Sequence, residues 1–308
     1  MKLKQPIFWK NINFISLLLY PISLTVSFIN YLKTLQKKTK YNIKTICVGN
    51  IYIGGTGKTP LSILINKILK KKYKTVFIKK KYKNQKDEQK LLIKHGNLIC
   101  DRSRSLCLTK AERKGFGLAI IDDGLQEKSI EYDISIACFN ATSKIGNGLL
   151  IPAGPLRENL SNLNHYDAVF INGEKKNNKL INKIKYYNNK IKLFQSEYKI
   201  NNLNRFDRSK KFLAFSGIGS PWEFKNTLIK NKFKIEDYLT FPDHYNYSKK
   251  DIDEIISISN DLNCKILTTE KDFMRLKNFM TDNIKFISSK LEILDEKKLL
   301  ETLSKIYE

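Results

Sequence analysis

Hydrophobic and polar positions follow two rhythms along this chain. The first is one uncharged run, Ile12 to Leu32 (INFISLLLYPISLTVSFINYL), with Lys2, Lys4 and Lys10 before it and Lys33, Lys37, Lys38 and Lys40 after it. As a helix it would measure about 31 Å at ~1.5 Å per residue, close to the ~30 Å hydrocarbon core of a bilayer. No A-x-A-like site follows, so the pattern predicts a retained anchor rather than a cleaved signal peptide. Pro21, Asn13 and Asn30 interrupt the run, which leaves open both a straight span and a kinked helix lying in the membrane interface.

Beyond residue 40 the rhythm changes to short apolar runs of strand length: Thr45 to Val48, Thr75 to Ile78, Leu118 to Ile121, Ile134 to Phe139 and Ala168 to Ile171. Helical or loop segments separate them, including an amphipathic stretch from Leu61 to Leu69. This alternation predicts an α/β fold: a mainly parallel sheet, helices on both faces, and a site at the strands' carboxyl ends. A second alternation begins near residue 200, with strands at Phe212 to Phe215, Tyr238 to Phe241 and Lys265 to Thr268 and a helix over 249–261. Three parts are therefore expected: an N-terminal membrane helix over 1–40, a first α/β domain over 41–198, and a second, smaller α/β domain over 199–308 with the character of a lid or substrate domain.

The chemistry concentrates where the first strand meets the first helix, in GNIYIGGTGKTP. A glycine-rich loop between a strand and a helix is the context of a phosphate loop, and marks the first domain as P-loop NTPase-like. Backbone amides of Gly54, Gly55, Thr56, Gly57 and Lys58 can cradle phosphates. Lys58 can reach the β and γ oxygens, and the Thr59 hydroxyl can hold Mg²⁺. Tyr52 stands where the first Gly of the strict motif belongs. The strand Leu118 to Ile121 then delivers Asp122 and Asp123 at its carboxyl end, as a second Mg²⁺-holding element requires. A nucleoside triphosphate and Mg²⁺ are what these elements imply.

Composition adds less. The chain has 56 Lys and Arg against 30 Asp and Glu, a net charge of +26, but only seven of the cations are Arg. A solvated lysine surface accounts for most of that charge, with attraction to an anionic membrane as a secondary effect. No aromatic RNA motif, zinc finger or arginine-rich helix points to a nucleic-acid partner. The five cysteines have no paired spacing, so neither a disulfide framework nor a zinc site is indicated.

Taken in order, VGNIYIGGTGKTP (48–60), DDGLQ (122–126), IPAGPLRE (151–158), AFSGIGSP (214–221), FPDHYNYS (241–248) and LTTEKDFMRL (267–276) resemble the tetraacyldisaccharide 4'-kinase family. The resemblance implies transfer of the ATP γ-phosphate to the 4'-hydroxyl of a tetraacylated glucosamine disaccharide 1-phosphate, giving lipid IVA. It also implies two α/β/α domains with the site in the cleft between them. The chain would then work at a bacterial inner membrane, its catalytic domains on the cytoplasmic face and its lipid substrate in the inner leaflet, with no obligate protein partner. By the same resemblance Arg157 lies at a phosphate group, Glu158 lies near the metal, and Asp87 pairs with His244 as the base for the sugar hydroxyl. The chain departs from the family between 79 and 90. Lys80, Lys81, Tyr82 and Lys83 replace an Arg-Gly-Tyr-Gly run, and Lys86, Asp87, Glu88 and Gln89 replace Gly-Asp-Glu-Pro. Glu127 stands where a His is common. A membrane-associated P-loop NTPase acting on a protein partner remains the alternative, although no Asn-Lys-x-Asp guanine-reading motif is present.

Overall fold

A computed structural model describes residues 6–81, 86–173, 177–219, 221–243, 245–276 and 283–306, with the backbone alone at 86 and 87. It divides into two compact units, Pro6–Glu197 with Ile293–Glu308, and Tyr198–Glu292.

The larger unit opens with helix α1 (Phe14–Thr34). Asn13 and Ser16 form a capping box at its start, and Pro21 lies inside it. Then follow β1 (Lys44–Gly49), α2 (Lys58–Leu69), β2 (Thr75–Lys80), α3 (Lys86–His95), β3 (Leu98–Asp101), α4 (Arg104–Arg113), β4 (Leu118–Asp122), β5 (Ile134–Asn140), β6 (Ala168–Asn172), α5 (Asn178–Tyr187) and β7 (Lys192–Ile200). The smaller unit contributes β8 (Lys211–Ser216), α6 (Pro221–Lys230), β9 (Lys234–Thr240), α7 (Lys249–Asp261), β10 (Lys265–Thr269), α8 (Glu270–Arg275) and β11 (Ile284–Ile287). After these come β12 (Ser289–Ile293) and α9 (Glu296–Leu303).

The eight-stranded sheet has the order β12-β7-β6-β5-β1-β4-β2-β3, and the pairs from β7 through β3 are parallel. Its central strands are covered on both faces, which is why they read as unbroken apolar runs: Ile46, Cys47 and Val48 of β1 and Leu118 to Ile121 of β4 have no exposed surface. After β1 the chain lays β2, β3 and β4 on one side of it and then β5, β6 and β7 on the other. The loop after β1 therefore sits at the topological switch point, where open parallel sheets bind ligands. Strands β3 and β7 escaped the sequence reading because LICD is short and KLFQSEYKI is mixed in polarity.

Residues from Ile293 onward, which the sequence pattern grouped with the second domain, are bonded into the larger unit. Lys305 pairs with Asp167 at 2.6 Å, and Tyr73 Oη donates to the Ile306 carbonyl at 3.2 Å.

The smaller unit is a four-stranded parallel sheet, β11-β10-β8-β9, with an apolar cluster on each face. Two family-like stretches meet inside it. Thr269 caps α8 through the Asp272 amide at 3.0 Å. Asp272, fully buried, accepts from the Gly217 amide at 3.0 Å and pairs with Arg275 at 2.8 Å. The TTEKD segment thus fastens the Gly-Ile-Gly turn to the sheet.

Candidate active site

The site grows out of the ends of β1 and β4. After β1 the chain turns through Asn50, whose side-chain amide donates to the carbonyls of Tyr52 and, at 3.4 Å, Gly54. This bond shapes the loop from within. Gly54 at φ 143° and Gly57 at φ 80° take backbone conformations that favour glycine, and a Cβ on Gly57 would come within 3.0 Å of the Asn172 side chain. Gly57 is the N-cap of α2, so Lys58 and Thr59 open a helix whose amides point back at the loop. The Thr56 hydroxyl is buried and has no hydrogen-bond partner among the described residues. An orphaned buried hydroxyl inside a glycine cradle at a helix N-terminus fits a phosphate group.

Beneath the loop, β4 ends in Asp122 and Asp123, which face different partners. Asp122 is fully buried. It accepts from Thr59 Oγ1 at 3.2 Å, Ser62 Oγ at 3.4 Å and Lys79 Nζ at 2.6 Å. Burial by itself would lower the pKa of Lys79, but the carboxylates of Asp122 and Glu88 outweigh it and hold the ammonium above the ordinary lysine value. Asp123 has φ 64°, unusual for a non-glycine residue, and its amide donates to the Val48 carbonyl at 2.7 Å. That backbone turns its carboxylate toward Lys58 at 3.6 Å and Arg157 at 2.9 Å, both measured to Oδ1. Burial would raise the Asp123 pKa, but Lys58 and Arg157 pull it down to about 2. The donor set of Thr59 and Asp122, a hydroxyl and a carboxylate at 3.2 Å from each other, is all oxygen and suits Mg²⁺ completed by phosphate oxygens and water.

Arg157 is fixed from several sides. Its guanidinium also donates to Gln126 Oε1 at 3.1 Å, its amide donates to the Ile51 carbonyl at 2.7 Å, and its carbonyl accepts from the Asn30 side chain at 2.8 Å. The Gln126 amide group bridges the Asn50 carbonyl at 2.9 Å and Glu158 Oε1 at 3.0 Å. Glu158, expected near the metal, is engaged by protein donors instead. Its carboxylate accepts from Gln126, from Lys128 at 2.7 Å, from Tyr166 at 2.7 Å and from Asn162 at 2.6 Å. Nothing brings it to Thr59 or Asp122 among the described residues; it is the buried footing on which Gln126 and Arg157 stand.

Of the remaining expectations, His244 and the side chain of Asp87 lie outside the described residues. Lys79, Asn50, Gln126 and Arg104, whose guanidinium donates to the Asp123 carbonyl, were not singled out from sequence. A signal for Lys79 existed. The parallel register Ile78↔Ile121 makes it the next neighbour of Asp122, so aligning the two apolar runs at their ends finds the pair.

The family model for tetraacyldisaccharide-1-P 4'-kinase matches residues 15–308. A tetraacyldisaccharide 4'-kinase of Pelagibacter ubique (strain HTCC1062) is 48% identical over 312 residues, covering 100% of this chain and 99% of that protein. One from Rickettsia canadensis (strain McKiel) is 34% identical over 325 residues, covering 99% and 98%. Among solved structures, LpxK from Aquifex aeolicus in complex with ATP matches with a TM-score of 0.72 at 23% identity, covering 96% of this chain and 100% of that one, a likeness of fold.

Proposed function

The chain belongs to the tetraacyldisaccharide-1-P 4'-kinase family, and we propose from that premise that it transfers the γ-phosphate of ATP to the 4'-hydroxyl of a tetraacyl disaccharide 1-phosphate. One observation in the molecule carries the reading. Lys58 and Arg157 converge on a single oxygen of Asp123, at 3.6 and 2.9 Å, beside the partnerless Thr56 hydroxyl and the glycine loop. Two cations held ready at a helix N-terminus are what a transferring phosphoryl group, with its charge spread over three oxygens, requires.

The roles follow from the geometry. Amides of Gly54 to Lys58 cradle the β and γ phosphates, and Lys58 and Arg157 turn from Asp123 to the nucleotide's oxygens when it enters. Thr59 and Asp122 would hold Mg²⁺, which when bound would neutralise charge on the phosphate oxygens. Asp123 stays anionic throughout neutral pH and keeps both cations aimed at one place. For the acceptor hydroxyl, the family resemblance supplies Asp87 and His244 as the base.

The membrane mode is part of the same proposal. Helix α1 is long and apolar enough to cross a bilayer, and only Ser16 and Ser23 along it are buried. Yet it is bonded to the body from its middle onward. Ser23 Oγ donates to the Leu150 carbonyl at 2.9 Å and accepts from the Ala153 amide at 3.1 Å, Ser27 accepts from Asn159 at 2.8 Å, and Asn30 holds the Arg157 carbonyl. Just before the helix, Trp9 Nε1 reaches the Pro152 carbonyl at 2.9 Å. A helix sewn by its polar edge to the body through the 150–159 loop lies in the interface, its other face, with Leu17, Leu18, Leu24 and Phe28 exposed, in the acyl region. On this proposal the phosphate site works beside lipid headgroups on the cytoplasmic face of a bacterial inner membrane, where ATP and an acylated sugar are both within reach.

Incubation of the full chain with ATP, Mg²⁺ and tetraacyl disaccharide 1-phosphate in detergent micelles tests the reading. A product heavier by one phosphate is expected; ATP hydrolysis without lipid phosphorylation would instead mark a nucleotide-driven partner protein.

A further inference from the structure

Lys79, the last residue but one of β2, is a buried cation with 2% of its side chain exposed, in a chain whose other lysines mostly face solvent. Two carboxylates claim its ammonium: Asp122 at 2.6 Å and Glu88, in the first turn of α3, at 2.8 Å. Asp122 is also the carboxylate that, with Thr59, faces the loop. A divalent cation there would share Asp122 with Lys79, and the two positive charges would stand within a few ångströms of each other at low local dielectric. Like charges so placed oppose one another strongly. Glu88 changes the outcome, because it gives Lys79 a second seat when Asp122 is drawn to a metal. Both seats lie within the larger unit and on elements that flank the site, β4 and α3.

We propose that Lys79 is a positioning residue that occupies Asp122 in place of the metal until the Mg²⁺–nucleotide arrives, and that its exchange from Asp122 to Glu88 sets the Mg²⁺ requirement of nucleotide loading. Before loading, the ammonium keeps Asp122 from standing in the core as an unpaired charge. During loading it is the competitor that metal must displace. The same exchange loads the first turn of α3, so metal entry is felt at the segment beside Asp87. The proposal rests on the kinase reading only for the identity of the metal and nucleotide.

The test uses the full-length protein in detergent and reads binding, not turnover. Mg²⁺ is titrated against a fluorescent ATP analogue, and melting is followed with and without Mg²⁺ alone. In Lys79→Met the Mg²⁺ needed for half-maximal nucleotide binding should fall about tenfold, because the competing charge is gone. The variant's melting temperature should also rise more with Mg²⁺ than the wild type's. Glu88→Gln should act in the opposite sense, raising the Mg²⁺ requirement several-fold, because Lys79 is left with Asp122 as its only seat. Lys79→Arg, which keeps the charge, should restore a midpoint near the wild type. Equal Mg²⁺ midpoints in wild type, Lys79→Met and Glu88→Gln would overturn the proposal; should Lys79→Met fail to fold, an unmoved midpoint in Glu88→Gln overturns it alone. A lipid kinase of normal activity with unmoved midpoints defeats only this inference, whereas shifted midpoints without lipid phosphorylation defeat only the kinase reading.

Discussion

Arg157 and Asp123 meet at 2.9 Å across a stretch of 34 residues, the first from the PAGPLRE loop and the second from the end of β4. Lys58 approaches the same Asp123 oxygen at 3.6 Å. A carboxylate serving two cations at a phosphate loop makes it an aiming device, and removing either cation should cost transition-state stabilisation well beyond its cost to the fold. Arg157→Ala and Lys58→Ala should each lower kcat by roughly 10²- to 10³-fold, with a melting temperature lowered modestly, because either loss leaves the partly buried Asp123 carboxylate with one cation fewer. Steady-state kinetics beside a thermal melt decide the matter; a variant with near-normal kcat removes that residue from the phosphate site.

Asp123 also predicts an acid signature. Its pKa in the folded chain is about 2, against roughly 3.9 in an unfolded one. A carboxylate depressed by folding contributes stability that is whole above pH ~4 and is lost as pH falls toward 2, about 2 kcal/mol for a shift of this size. The difference in denaturant-derived stability between wild type and Asp123→Asn should therefore shrink by about that amount between pH 5 and pH 2. A difference that stays level over this range would mean that Lys58 and Arg157 do not hold the carboxylate as described.

The α1 geometry predicts which side of a membrane its ends face. An interfacial helix leaves both ends on one side, and a spanning helix separates them. Asn11→Cys and Gln36→Cys, each compared with the parent's own background, should both react with a membrane-impermeant maleimide added to the cytoplasmic face of vesicles. Protection of Asn11→Cys alone would restore the spanning helix.

Much of this arrangement could be read along the chain, and the exceptions have physical causes. Buried parallel strands announce themselves because both faces need apolar side chains, and GGTGKT announces a phosphate cradle because few other tasks need that density of glycine before a lysine. Lys79 did not announce itself. Seen singly it is one of many lysines, and only the register of β2 on β4 turns it into a partner of Asp122. Glu158 is placed near the metal by the family resemblance alone, and sequence does not show that Lys128, Tyr166, Asn162 and Gln126 all donate to it. Asn13 and Asn30 are visible in the sequence as breaks in an apolar span; Asn13 caps the helix with Ser16, and Asn30 belongs to the seam by which the helix is held to the body.

The base for the sugar hydroxyl is the last and most exposed expectation. An alcohol is a weak nucleophile at neutral pH, and a positioned proton acceptor typically contributes ~10²- to 10⁴-fold in rate. We propose Asp87 and His244 for this task on the family resemblance, with the carboxylate orienting the imidazole and raising its basicity. The neighbourhood of Asp87 gives the pairing a second constraint. Glu88, the next residue, is bound to Lys79 at 2.8 Å, so the first turn of α3 is held by an ion pair where family members carry a Gly-Asp-Glu-Pro run. Asp87→Ala and His244→Ala should each depress kcat by that ~10²- to 10⁴-fold range while leaving binding of a fluorescent ATP analogue unchanged, since neither belongs to the phosphate cradle. The double variant should lose little more than the worse single, because two groups that act as a unit are not additive. Kinetics of the four proteins complete the cycle. Losses that multiply would show two separate roles, and a normal kcat in His244→Ala would leave the hydroxyl's proton to a group elsewhere in the chain.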